Sequence, residues 1–115
     1  MTTRSKVWFM HEPLRRDERT GQMVPQYDVK PAAEFGDIVF ALPGRSRPPM
    51  DPETCLQELR EVMKGFRETD YLAIAGDQQL VIWGAILAER ASGGVLNLLK
   101  WDNREHRYVL FAGRV

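Results

Sequence analysis

Where the apolar run Tyr71-Leu72-Ala73-Ile74-Ala75 stops, Gly76 and Asp77 precede a stretch of helical composition. In open α/β sheets, the free N–H groups of a helix at such a junction often receive a phosphate. Nucleotide loops need further glycines at fixed spacing, or Gly-Lys-Ser/Thr, so that backbone can close on the ligand. Here one glycine stands without a lysine beside it, and Asp77 occupies the N-cap position. Its carboxylate is expected to accept the amides a phosphate would need, and to repel an anion. Asp77 therefore reads as the cap of its own helix. The alternative is a cationic or hydroxyl-bearing ligand held by Asp77 at the carboxyl ends of the strands.

Other chemistry is sparse. The histidines are His11 and His106, and Cys55 is the one cysteine. No C-x-x-C or H-x-x-x-H spacing occurs, so no metal is expected. Ser5, Ser46 and Ser92 stand in polar surroundings without a nearby histidine, and G-x-S-x-G is absent. Cys55 lies in the first turn of an amphipathic helix, where a thiol pKa can fall, but it reads as a small core residue. Of the carboxylate pairs Asp51/Glu53, Glu58/Glu61 and Glu68/Asp70, the middle one has helical spacing beside Arg60 and Lys64 and reads as a solvated face. Neither a catalytic residue nor a cofactor is expected.

Two loops carry features of protein recognition. "LPGRSRPPM" sets Arg45, Arg47 and Met50 among prolines, and "PLRRDER" contains Arg15 and Arg16. Arginine is enriched in interface hot spots, and a proline-stiffened loop loses less entropy on binding. The C-terminal segment interleaves cations with aromatics, including Lys100, Arg104, Arg107 and Tyr108. Stacked aromatics on a sheet face serve some RNA-binding domains. Strand alternation, however, sets Trp101 with Val95, Asn97 and Leu99, and Lys100 with Leu96 and Leu98. Neither face is cleanly basic and aromatic.

The elements that must position these residues follow from pattern. Lys6–Met10 and Asp37–Leu42 read as strands, the second buried. A loose hairpin is expected around Gly21, and a helical turn at "PAAEF" with Pro31 in first position. Pro43 to Pro52 reads as an exposed loop. Asp51 and Pro52 then open a helix whose apolar stripe is Cys55, Leu56, Leu59, Val62, Met63 and Phe66. "YLAIAG" is a third strand. Residues 77–94 form a buried helix closed by glycine, Val95–Trp101 a fourth strand, and "DNRE" a turn into a fifth. The order predicts one α/β domain over 1–115 with a mostly parallel sheet of four to five strands, two crossover helices and a C-terminal β-hairpin. Residues 1–36 are a strand plus a polar excursion, 37–101 a βαβαβ core, and 102–115 the terminal hairpin strand. An edge strand, Lys6–Met10 or His106–Ala112, is available to pair across a two-fold axis, which leaves a homodimer open.

The chain has 115 residues, 43% of them hydrophobic, with 16 basic and 16 acidic side chains. Such a length supports one core without disulfides. Neutrality disfavours nucleic acid as a partner, since phosphate neutralisation supplies most of that affinity. Charge is uneven: residues 51–99 hold 4 basic and 8 acidic groups, and residues 100–115 hold 4 and 2. No apolar run suits a signal peptide or a membrane span, and a single cysteine suits a reducing compartment, so a cytoplasmic location is expected.

Three stretches, "KVWFMHEPLRRDERTGQMVPQYDVKPAAEFGDIVFALP", "DYLAIAGD" and "GGVLNLLKWDNREHRYV", give the chain a resemblance along nearly its whole length. It resembles small accessory proteins of tailed bacteriophages, short-tailed ones in particular. Relatives often carry proline after the Gly-Asp, where Gln78 stands here. The resemblance implies no catalytic residues. It implies a protein of the host cytoplasm that binds and modulates a host protein or complex, such as RNA polymerase, a nuclease or defence machinery. The expected function is thus a non-enzymatic protein-binding module acting through Arg45, Arg47 and Met50, then Arg15 and Arg16. One alternative is RNA or single-stranded DNA binding by the C-terminal hairpin. The other is a small-ligand protein or enzyme at the strand ends.

Overall fold

The computed structural model describes residues 4–12, 14–26, 28–42 and 51–114. Its elements are β1 (Lys6–His11), β2 (Leu14–Arg16), β3 (Met23–Pro25), a 3-10 turn η1 (Lys30–Glu34), β4 (Asp37–Leu42), α1 (Pro52–Met63), β5 (Tyr71–Ala73), α2 (Gln78–Ser92), β6 (Val95–Asp102) and β7 (Arg107–Arg114). β2 and β3 form the hairpin around Gly21, closed by Gly21 N–H donating to the Asp17 carbonyl, 2.8 Å. The main sheet has the order β4-β1-β5-β6-β7. Its first four strands are parallel, and β7 returns antiparallel to β6 from Asp102↔Arg107 to Val95↔Arg114. This is the mostly parallel sheet with two crossover helices and a terminal hairpin that the element order predicts.

The first strand is not at an edge. β1 lies between β4 and β5, so Lys6–Met10 offers no free edge for a second copy. Its sequence shows why: Val7 to His11 are five consecutive buried residues, as a parallel strand covered on both faces requires. The edge falls to β4, expected to be buried, in which Ile38, Val39 and Phe40 are only half-buried.

Two cores sandwich the sheet. Trp8 and Met10 face α1 and α2, meeting Leu59, Met63, Phe66, Leu80 and Ala88. Val7, Phe9, Leu99 and Tyr108 face the other way, toward Ala32 of η1 and Phe35. The polar excursion thus returns across the sheet to cover the face that no helix covers. α2 comes close because Gly84 faces Met10, where a Cβ would stand 2.2 Å from the sulfur.

Both helices begin as their sequences dictate. Pro52 sits in the first turn of α1, and the Asp51 carboxylate accepts from Glu53 N–H at 3.1 Å and from the Thr54 hydroxyl at 2.6 Å. The Thr54 hydroxyl holds the Asp51 carboxyl below the usual carboxylate range, helped by the backbone N–H groups of Glu53 and Thr54. A depressed folded-state pKa adds stability above the unfolded value, lost as pH falls through the folded one. Acidification below the ordinary aspartate range is therefore expected to loosen the start of α1. Protection of the Glu53 and Thr54 amides from exchange, relative to the intrinsic rate at each pH, should fall there in the wild type and be less pH-dependent in Asp51→Asn. α2 ends on Gly93 at φ 75°, the left-handed conformation that suits glycine.

Candidate functional site at the carboxyl ends of the strands

The chain leaves β1 for β4 on one side and reaches β5 and β6 on the other. The order therefore reverses between β1 and β5, the place where open α/β sheets hold ligands. Here the chain's own side chains fill it. β5 stops at Ala73, three residues short of the expected Gly76, although Ile74 N–H still donates to the Leu99 carbonyl at 2.8 Å. Gly76 then turns away at φ 88°, a conformation L side chains rarely adopt. The turn aims Asp77 N–H at the buried His11, whose Nε2 accepts it at 2.9 Å. The Asp77 carboxylate accepts Leu80 N–H at 3.1 Å.

Asp77 is thus engaged twice in its own structure, its side chain by the helix it caps and its amide by imidazole. A phosphate at this junction would have to displace both. The histidine is the part that sequence reasoning missed. No local pattern announced it: the glycine whose Cβ would stand 2.2 Å from Nε2 lies far along the chain and is brought opposite only by the fold.

Beside this plug, on the η1 face, lies a recess of about 430 Å³ lined by Asp28, Pro31, Ala75, Gly76, Trp101, Asn103 and Tyr108. The rings of Trp101 and Tyr108 meet edge to face, 5.2 Å between centroids at 70°. The Asp28 carboxylate accepts Lys30 N–H at 2.9 Å. Trp101 also forms a wall of a shallow groove of about 390 Å³ with Lys100, Asp102, Asn103, Arg104, Val109 and Phe111.

Lys100 and Arg104 therefore share a groove beside an exposed aromatic ring, that of Phe111. Arg107 is exposed at the start of β7 and does not line the groove. Tyr108 is a correction: it is 2% exposed and packs on Phe9, so its ring is no stacking platform for a base. The alternation of the sequence put it on the core face of the hairpin. Arg15 and Arg16 lie exposed on β2, where Arg16 donates to the Gly21 carbonyl at 2.9 Å and helps close its own hairpin. Arg45, Arg47 and Met50 lie outside the described residues.

β7 ends the sheet, so its outer backbone edge pairs with no strand among the described residues. Natural edges are usually short, bulged, or blocked by proline or inward charge. β7 runs for eight residues without proline, and carries Leu110 at 43% and Phe111 at 56% exposure on opposite faces. Its only charged residues are Arg107 and Arg114, at its two ends.

Among the described residues, no group of three or more His, Cys, Asp or Glu side chains could hold a metal, and no helix is long and apolar enough to cross a membrane. Fold and site together define a small open-sheet α/β domain whose ligand crevice is filled from within. The chain belongs to the Phage Pam3 gp32-like protein family, whose model matches residues 5–113. No significant match was found among curated proteins or among solved structures.

Proposed function

We propose that this phage protein is a non-enzymatic accessory protein that binds a host protein by adding an extended segment of it to strand β7. The observation that carries this reading is the long edge, paired with no strand among the described residues, with two exposed large apolar side chains. Such an edge supplies affinity through main-chain hydrogen bonds and specificity through alternating side chains. Charge selects the partner's chemistry. Arg107 and Arg114 bracket the strand and no carboxylate lies on it, while Lys100 and Arg104 outnumber Asp102 in the adjoining groove. The matching segment is apolar at its centre and acidic at its ends. A second copy of this chain fits worse, because full-length antiparallel pairing of two β7 strands sets Arg107 against Arg114 of the other copy.

The test is quantitative affinity capture from host lysate with wild type, Phe111→Asp and Arg45→Ala/Arg47→Ala. Phe111→Asp should reduce recovery of the specific partner by at least tenfold, with its melting temperature unchanged. Deuterium uptake at β7 amides should fall in the purified complex. Undiminished capture by Phe111→Asp, with loss in the double arginine variant, would move the interface to the proline-rich loop.

The groove holding Lys100, Arg104 and Phe111 favours single-stranded nucleic acid as a second reading. Asp102 in its wall, the burial of Tyr108 and the neutral net charge weigh against it. Salt-dependent binding of an oligonucleotide that Arg104→Ala weakens would support it.

A further inference from the structure

We propose that the recess between Asp28, Trp101 and Tyr108 is a binding site for an organic cation, an alkylammonium or guanidinium group. The inference does not depend on the edge-strand reading. The volume, about 430 Å³, falls within the usual range for small-ligand pockets. Of the described residues lining it, Asp28 alone is charged, so an anion would meet repulsion and no cationic partner among them. The backbone amide at this junction, Asp77 N–H, is held by His11 and offers an anion nothing. The N-terminus of α2 is closed by the Asp77 carboxylate.

What the recess offers is the opposite of a phosphate site. Two aromatic rings at 70° form a corner, with Tyr108 as the buried floor and half-buried Trp101 as the wall. Ring faces attract cations by their quadrupole, indole most strongly, and more so where water is excluded. Asp28 lines the recess, and its carboxylate is oriented by accepting the Lys30 N–H. A rigid aromatic corner with one carboxylate is the arrangement that recognises an alkylated ammonium or an arginine head.

The experiment follows the Trp101 indole N–H resonance in a two-dimensional nitrogen–proton spectrum, assigned by its loss in Trp101→Phe. The probes are tetramethylammonium chloride and N-acetyl-arginine methylamide, with sodium chloride and sodium phosphate at matched ionic strength as controls. At least one cation should shift the indole signal saturably, together with the amides of Gly76 and Asn103. Asp28→Asn should weaken that binding at least fivefold with the remaining spectrum unchanged. Tighter binding of the blocked arginine would identify a protein side chain as the source of the cation, and tighter binding of tetramethylammonium a free small molecule. Shifts no different from those in sodium chloride, equal affinity in Asp28→Asn, or saturation by phosphate would each overturn the proposal.

Discussion

Replacing Asp70 with alanine is expected to cost about 3–5 kcal/mol of folding stability, the range for breaking a buried, hydrogen-bonded charge. Its carboxylate is fully buried and ties β1 to the loop that precedes β5. It accepts Lys6 N–H at 3.0 Å, the Trp8 indole N–H at 3.1 Å and Arg67 N–H at 3.0 Å, while the Arg67 guanidinium lies 3.5 Å away. Removing it strands three donors, one of them the indole of a core tryptophan. Each buried donor left without a partner costs about 1–3 kcal/mol. Asp70→Asn keeps one oxygen and should lose less than the alanine variant. Arg67→Ala, at a half-exposed position, should lose less than about 1 kcal/mol. Urea unfolding followed by tryptophan fluorescence reads all three. A loss below about 1 kcal/mol for Asp70→Ala would mean that water replaces the carboxylate, contrary to its burial.

The second large effect is expected at Gly76, where alanine should destabilise the fold by about 2–4 kcal/mol. Two causes add. A left-handed backbone costs an L residue about 1–2 kcal/mol. The new methyl also meets His11 Nε2 at 2.2 Å, so a buried ring must move and release Asp77 N–H. The causes separate in a double-mutant cycle. In a His11→Ala background the clash is gone, and Gly76→Ala should cost only the backbone term, about 1–2 kcal/mol. Equal costs in both backgrounds would show that the imidazole does not fill the crevice.

These two positions mark where the sequence was readable and where it was not. The caps at Asp51 and Asp77, the glycine stop at Gly93, the strand Asp37–Leu42 and the hairpin at Gly21 all stood in the local pattern. Each is decided by residues within a turn of one another, so local chemistry suffices. Asp70 sits in the polar stretch "RETDY" and reads locally as half of a carboxylate pair with Glu68. Nothing nearby tells that the chain carries it beneath Trp8, 62 positions earlier. His11 is hidden in the same way, since its partner is an amide 66 positions away. The edge role expected of Lys6–Met10 failed for this reason too: strand order is settled by distant partners. The recess combines Asp28, Gly76 and Trp101 from two loops and a strand, and no spacing in the chain announces it.

The central position of β1 has a consequence for synthesis. Its anchor at Asp70 is 64 residues downstream of Lys6. At about 5–20 residues per second, translation leaves this apolar strand without its inner neighbour for roughly 3–13 s. During that interval KVWFM is an adhesive segment on the nascent chain. Yield in the infected cell should then depend on ribosome-associated chaperones more than the finished domain's size would imply.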